Sequence, residues 1–249
     1  MTTGPVSEQL RFGITEVVVK SFRSAGDVSF SPGPVCALVG EANAGKSNLL
    51  AAIRAVLDPA AAPLTDADAA DDGGGPISIR VRLAGGAEAV LEGSPVRHAM
   101  NGPESLPPVL FLPAGARADA VLAAGNLEGA GAAPALEMFR GVLAPDRPTS
   151  TAQALTVIDA LESCCSAGLS GLILLIEEPE LYLRPQAQRY LYRLLRKFSL
   201  AGNQTIYSTH SPAFLNVVRL DELIFVERVS RRAHVLCSPS QLLPTTTSA

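Results

Sequence analysis

GEANAGKSNLL, residues 40–50, decides how the rest of the chain is read. Gly40, Glu41, Ala42, Asn43, Ala44, Gly45, Lys46 and Ser47 fit the pattern Gly-x-x-x-x-Gly-Lys-Ser, with Asn48 opening the segment that follows. Such a stretch is either a glycine-rich turn capping a helix, with the lysine in solvent, or a cradle for phosphates. In a cradle the glycines let successive backbone N–H groups turn inward at a helix N-terminus, where the dipole also favours an anion. Lys46 then reaches the β- and γ-phosphates of ATP as a point charge, and the Ser47 hydroxyl is short enough to ligate Mg²⁺. The flanks favour the cradle. GPVCALVG before it is a short apolar run suited to a buried strand, and Leu49, Ile53, Val56 and Leu57 after it share one helical face that ends near Asp58-Pro59.

Working outward, ITEVVVKSFRS is rich in β-branched residues and predicts a first strand. Residues 58–76, DPAAAPLTDADAADDGGGP, hold little that can be buried and predict a flexible acidic insertion. ISIRVRL alternates cleanly and, with AEAVLE across a Gly-Gly turn, predicts a β-hairpin annex over residues 77–92. PPVLFLP, GLILLI and QTIYS read as strands, and DELIFVERV with RAHVLC as a terminal pair. Helices are expected at residues 151–163, where Leu155, Ile158 and Leu161 share a face, at 184–198, and briefly at 134–142. Strands alternating with helices predict an α/β P-loop NTPase: a mostly parallel sheet flanked by helices with a small antiparallel annex, in one domain over 1–249.

Bulk properties narrow the function. A hydrophobic fraction of 47% over 249 residues fills a real core, and a formal charge of −4 provides no global field for nucleic acid, so any such contact has to be local. Cys36, Cys164, Cys165 and Cys237 show no Cys-x-x-Cys spacing, which predicts reduced thiols and no zinc site. The longest apolar run, residues 172–176, is too short to cross a bilayer and the N-terminus lacks a signal pattern, so no membrane insertion and a cytoplasmic location are expected.

A nucleotide site also needs a metal anchor and a group that prepares water. LILLIEEPELYLRP puts Glu177 and Glu178 at the carboxyl end of a strand, where open α/β sheets bind their ligands. Strand alternation sends the two side chains in different directions, which predicts Glu177 on the metal with Ser47 and Glu178 as base or water positioner. In YSTHSPAF, His210 follows another apolar strand and is placed to hydrogen-bond the γ-phosphate or the attacking water, with Ser211-Pro212 opening a helix. Each carboxylate and the histidine also has a plainer reading, as a solvated strand end and a helix cap; the order of the three motifs favours the catalytic one.

Taken together, FRSAGDVSFSPGPVCALVGEANAGKSNLLAAI, LILLIEEPELYLRP and IYSTHSPAFL resemble the ATPase heads of the ABC-type family, and within it the OLD-like and RecF-like ATPases, over about residues 11–229. The resemblance implies ATP and Mg²⁺ as cofactors, hydrolysis, and an ATP-dependent homodimer that sandwiches nucleotide head to head. It gives Lys46 and Ser47 roles on phosphate and Mg²⁺, Glu177 on the metal, Glu178 as catalytic base and His210 as switch. Three departures accompany it. Where the family carries an LSGG-like signature loop, this chain has PTSTAQALTVI, with Ser150, Thr151 and Gln153 but no glycine pair. No glutamine lies between Asn48 and Ser150 to act as the lid residue, although FLPAGARAD with Arg117 is similar to a segment of the OLD-like heads. Only 39 residues follow His210, too few for the Toprim nuclease domain of OLD-like proteins, so an effector or nuclease subunit in trans is expected, acting in DNA repair or defence.

Arg184, Arg189, Arg193, Arg196 and Lys197 share one helix with no acidic residue among them, and offer either a DNA-facing stripe or a solvated face. Two other functions fit parts of the pattern. The nucleotide-binding subunit of a membrane transporter fits the P-loop but not the Glu-Glu-Pro-Glu sequence, and a non-hydrolysing ATP-gated binding module fits the altered signature.

Overall fold

The computed structural model describes residues 12–70, 75–93, 97–101, 106–114, 150–181, 183–211, 219–229 and 232–236. Two sheets frame it. The first is antiparallel, built from β1 (Ile14–Lys20), β2 (Val28–Phe30), β4 (Ile77–Leu83), β5 (Glu88–Gly93) and β6 (Arg97–Asn101) in the order β2-β1-β4-β5-β6. The second contains β3 (Val35–Val39), β7 (Val109–Leu112), β8 (Ile173–Glu177), β9 (Gln204–Thr209), β10 (Leu223–Val229) and β11 (Arg232–Leu236) in the order β11-β10-β3-β9-β8-β7. It is parallel except for β11, which closes the edge as a hairpin with β10.

The parallel strands are buried on both faces, and their alternation sorts side chains between two cores. Cys36 and Leu38 of β3 pack with Ile173 and Leu175 of β8 toward the antiparallel sheet. Val35, Ala37 and Val39 join Leu174 and Ile176 on the opposite face. Helix α1 (Lys46–Leu57) lies between the sheets and contributes Leu49, Leu50, Ile53 and Val56, all fully buried, to the first core. Each such side chain contributes about 1.5–3 kcal/mol relative to exposure, so the helix that starts at the P-loop is firmly seated. On the other face, α2 (Ser150–Ser166) and α3 (Pro185–Leu200) supply Ile158, Leu161, Leu191, Leu195 and Phe198. Pro185 stands at the start of α3, where its missing N–H is not needed.

The hairpin expected at residues 77–92 is the centre of the antiparallel sheet, and the two edge strands, the three-residue β2 and the β6 segment RHAMN, carried no apolar run or alternation to announce them. The first strand stops at Lys20; Ser21 and Arg23 take left-handed φ of 53° and 49°, so SFRS forms a turn. Within the stretch expected as a flexible insertion, residues 66–68 form a 3-10 turn. Asp68 receives the Arg23 guanidinium at 2.9 Å, and the Ala70 N–H donates to Ser21 O at 3.1 Å. The Arg23–Asp68 ion pair and two backbone hydrogen bonds, the second from Arg23 N to Asp68 O at 2.8 Å, tie the acidic segment to the β1–β2 turn. Its composition concealed this, because the partner lies more than 40 positions away. The helix expected at 134–142, Arg117 and the helix expected after Ser211 lie outside the described residues.

The side chain of Gln204 joins the two sheets. Gln204, fully buried at the start of β9, accepts the Ile14 N–H at 2.7 Å and donates to Ile14 O and Gly33 O, each at 2.9 Å. Gln204→Leu strips partners from these backbone groups and is expected to lower unfolding free energy by about 2–4 kcal/mol, since each unsatisfied buried group costs ~1–3 kcal/mol. Urea denaturation checks this, and an unchanged midpoint would exclude the role.

Candidate functional site

β3 runs directly into the glycine loop. Its first residue, Gly40, has φ 154°, and a Cβ there would lie 1.9 Å from Val226 O on β10, so only glycine lets the loop leave the sheet at this point. Asn43 adopts a left-handed φ of 61°, and Gly45, at φ 107°, caps α1 without any side-chain hydrogen bond. The N-terminal amides of α1 therefore meet no capping oxygen, as a helix start that receives an anion requires. The Lys46 ammonium is buried and donates to Gly40 O at 3.0 Å and Glu41 O at 2.8 Å, folding back over its own loop. Burial lowers its pKa, and the charges of Glu178 and Glu180 oppose that shift.

A cavity of 390 Å³ opens over this loop, lined by residues 42–48 together with Ser24, Glu178, His210 and Arg228. A larger open depression of 600 Å³ on the antiparallel sheet is lined by Arg80, Glu88, Glu92 and Arg97, without a glycine loop or helix terminus. The chemistry is therefore at the first. Apart from Ser24, which comes from the β1–β2 turn, its contributors sit at carboxyl ends of parallel strands: the loop after β3, Glu178 after β8, His210 after β9 and Arg228 near the end of β10.

The two sequence-predicted carboxylates part company. Glu178 has a left-handed φ of 44°, a strained conformation for a residue with a side chain, held by its N–H donating to Ser208 O at 3.0 Å. This turn, rather than strand alternation, brings its carboxylate into the cavity, where Oε1 lies 3.4 Å from His210 Nε2. Glu177, still on β8, accepts the Ala114 N–H at 3.2 Å, stands near the Arg54 guanidinium and does not line the cavity. Arg54 in turn stacks over Phe111 at 4.6 Å.

Glu180 was not singled out from sequence. It is nine-tenths buried, and its Oε1 accepts from Thr209 Oγ1 at 2.8 Å, His210 N at 2.8 Å and Ser211 N at 3.2 Å. Ser211 Oγ donates to Gln188 Oε1 at 2.7 Å, and the Gln188 amide donates to Leu183 O at 2.9 Å. The segment carrying His210 is thus held by the carboxylate two residues beyond Glu178, so the two groups facing the cavity share one rigid support. Ser24, whose Oγ accepts from Asn48 Nδ2 at 2.7 Å, and Arg228 were also unassigned from sequence. The Glu-Pro-Glu spacing is the one signal that pointed to Glu180.

No group of three or more His, Cys, Asp or Glu residues among those described forms a metal cage. The oxygen donors present, the Ser47 hydroxyl and the Glu178 carboxylate, fit Mg²⁺ that arrives with phosphates and keeps part of its water shell. The basic face of α3 is only partly free. Arg196 donates to Glu222 at 3.2 Å and Arg193 lies 6.0 Å from the Tyr190 ring, while Arg184, Arg189, Arg193 and Lys197 are exposed. No helix among the described residues is long and apolar enough to cross a membrane.

Residues 149–216 match the family described as "AAA domain, putative AbiEii toxin, Type IV TA system". Over 77 residues the chain is 44% identical to an OLD nuclease of Thermus scotoductus, a match spanning 30% of this chain and 15% of that protein. Its fold resembles the SMC head domain from Thermotoga maritima, with TM-score 0.57, 16% identity, and coverage of 90% and 98% of the two chains. It equally resembles the recombination mediator RecF bound to ATPrS, with TM-score 0.58, 11% identity, and coverage of 93% and 100%. The fold is that of the SMC and RecF heads, and the OLD-like and RecF-like resemblance of the motifs stands.

Proposed function

We propose that this ATPase head of the OLD- and RecF-like kind binds ATP with Mg²⁺ and hydrolyses it. The observation that carries the proposal is the convergence of the glycine loop, Lys46, Ser47, Glu178 and His210 on one cavity. Residues 40–48 hold the phosphates through backbone amides and the Lys46 ammonium. Ser47 carries the metal, and Glu177, which lies outside the cavity, acts on it only through the metal's water shell. Bound Mg²⁺ neutralises charge developing on the β- and γ-phosphates. Glu178 accepts the proton of the attacking water, and His210, 3.4 Å away, orients that water and registers the γ-phosphate.

Two heads closing on nucleotide complete the cycle, and a partner protein reads it. The likeness to RecF bound to ATPrS supports the nucleotide, and that to an SMC head bound to the winged-helix domain of ScpA supports a protein partner. The match to an OLD nuclease supports a nuclease effector in DNA repair or defence, and the exposed cations of α3 support contact with DNA. Phosphate release from purified protein, with and without Mg²⁺ and with and without duplex DNA, tests these together. Mg²⁺-dependent turnover raised by DNA is expected. Absence of turnover in every arm, including with candidate partners, would favour a nucleotide-gated binding module, and turnover indifferent to DNA would remove DNA from the scheme.

A further inference from the structure

The geometry points to Arg228 as a nucleotide-binding residue that grips the α-phosphate and ribose end of the bound nucleotide, and so serves ATP and ADP alike. The inference rests on the nucleotide reading above and adds to it a contact on the flank of the loop opposite the reacting end.

Strand order supplies the direction. β10 and β9 are both hydrogen-bonded to β3, one on each side, and β8 lies beyond β9. Glu178 and His210, at the ends of β8 and β9, therefore approach the glycine loop from one flank, and Arg228 on β10 from the other. With the γ-phosphate beside Glu178 and His210, the chain of phosphates crossing the loop presents its α end to the β10 flank.

The position of Arg228 is fixed. β10 runs parallel with β3 in the register Phe225↔Val39, and the next residue places its carbonyl against Gly40. Arg228 is two positions beyond Val226 and so on the same side of the strand. Its backbone is further held by pairing with Ala233 on β11. A long exposed side chain is thus anchored beside the loop as part of the cavity lining, and no ion pair to a carboxylate is found for it among the described residues. An arginine so placed offers several donors in a planar fork, the geometry that suits phosphate oxygens.

The test compares wild type, Arg228→Gln and Arg228→Lys by titration with Mg-ATP and with ADP, alongside phosphate release. Arg228→Gln is expected to weaken ATP and ADP by the same factor, about tenfold at low salt, as loss of one charge-assisted phosphate contact does, with the difference shrinking as salt is added. The loss should fall on KM for ATP more than on kcat, and Arg228→Lys should recover part of the affinity because it keeps charge without the fork. Unchanged binding of both nucleotides overturns the proposal. Weakening of ATP alone, or a loss mainly on kcat, overturns it too, since either places Arg228 at the γ end. If wild type binds neither nucleotide, the nucleotide reading itself has failed. Arg228 is exposed, so a melting temperature equal to wild type certifies the variants.

Discussion

Glu178→Gln should bind Mg-ATP as wild type does and release phosphate about 10²–10⁴ times more slowly, the usual cost of removing a positioned general base. Glutamine keeps the shape and can keep the contact with His210 Nε2, but it cannot accept a proton from water. The left-handed backbone at φ 44° places the same demand on both residues, so the substitution adds no new strain. Closed heads that cannot hydrolyse stay closed, so sedimentation with ATP should show the variant accumulating as a dimer where wild type does not. Glu177→Gln is the control. Its carboxylate bonds Ala114 N and faces Arg54 outside the cavity, so it should alter the Mg²⁺ requirement more than the rate at saturating metal. Wild-type turnover in Glu178→Gln, or a larger loss in Glu177→Gln, would mean that the base has been assigned to the wrong carboxylate.

What the sequence made legible and what it hid divide along one physical line. The glycine loop is read directly because every part of it is local: the turn, the helix start and the lysine lie within eight positions, and their pattern needs no tertiary partner. The parallel strands are equally plain, since burial on both faces leaves runs such as VCALV and ILLIE without polar interruption. Strand alternation served up to Glu177 and no further, because the next residue leaves strand geometry for a left-handed turn that no periodicity announces. Glu180 carries no local signal beyond its spacing from Glu178. Its importance comes from three donors at positions 209–211, which only the parallel pairing of β8 with β9 brings within reach. Arg228 is hidden for the same reason, since the glycine loop whose cavity it lines lies nearly 190 positions earlier.

That dependence on distant partners shapes the second large effect, at Lys46. Lys46→Met is expected to weaken both ATP and ADP about 10²-fold, the value of a lysine–phosphate contact with hydrogen bonds worth ~1.5–3 kcal/mol to a charged group. Thermal melting shows it plainly. Nucleotide at 100 times its wild-type dissociation constant stabilises wild type by ~2.7 kcal/mol and such a variant by only ~0.4 kcal/mol. For a domain of this size the lost shift is about 5–9 °C. Without nucleotide the two proteins should melt within a few degrees of each other, because two effects of opposite sign nearly cancel. Methionine gives up the bonds to Gly40 O and Glu41 O, but it also removes a buried ammonium whose pKa desolvation holds below the ordinary 10.5, against the pull of Glu178 and Glu180. A lysine whose folded-state pKa is lowered binds fewer protons folded than unfolded, so its penalty stands in full at neutral pH and is relieved as pH rises through the depressed value toward 10.5. Wild type should therefore gain stability relative to Lys46→Met across that alkaline window. A variant that keeps full affinity for ATP would show that the ammonium does not touch phosphate, and the cavity over the glycine loop would need another ligand.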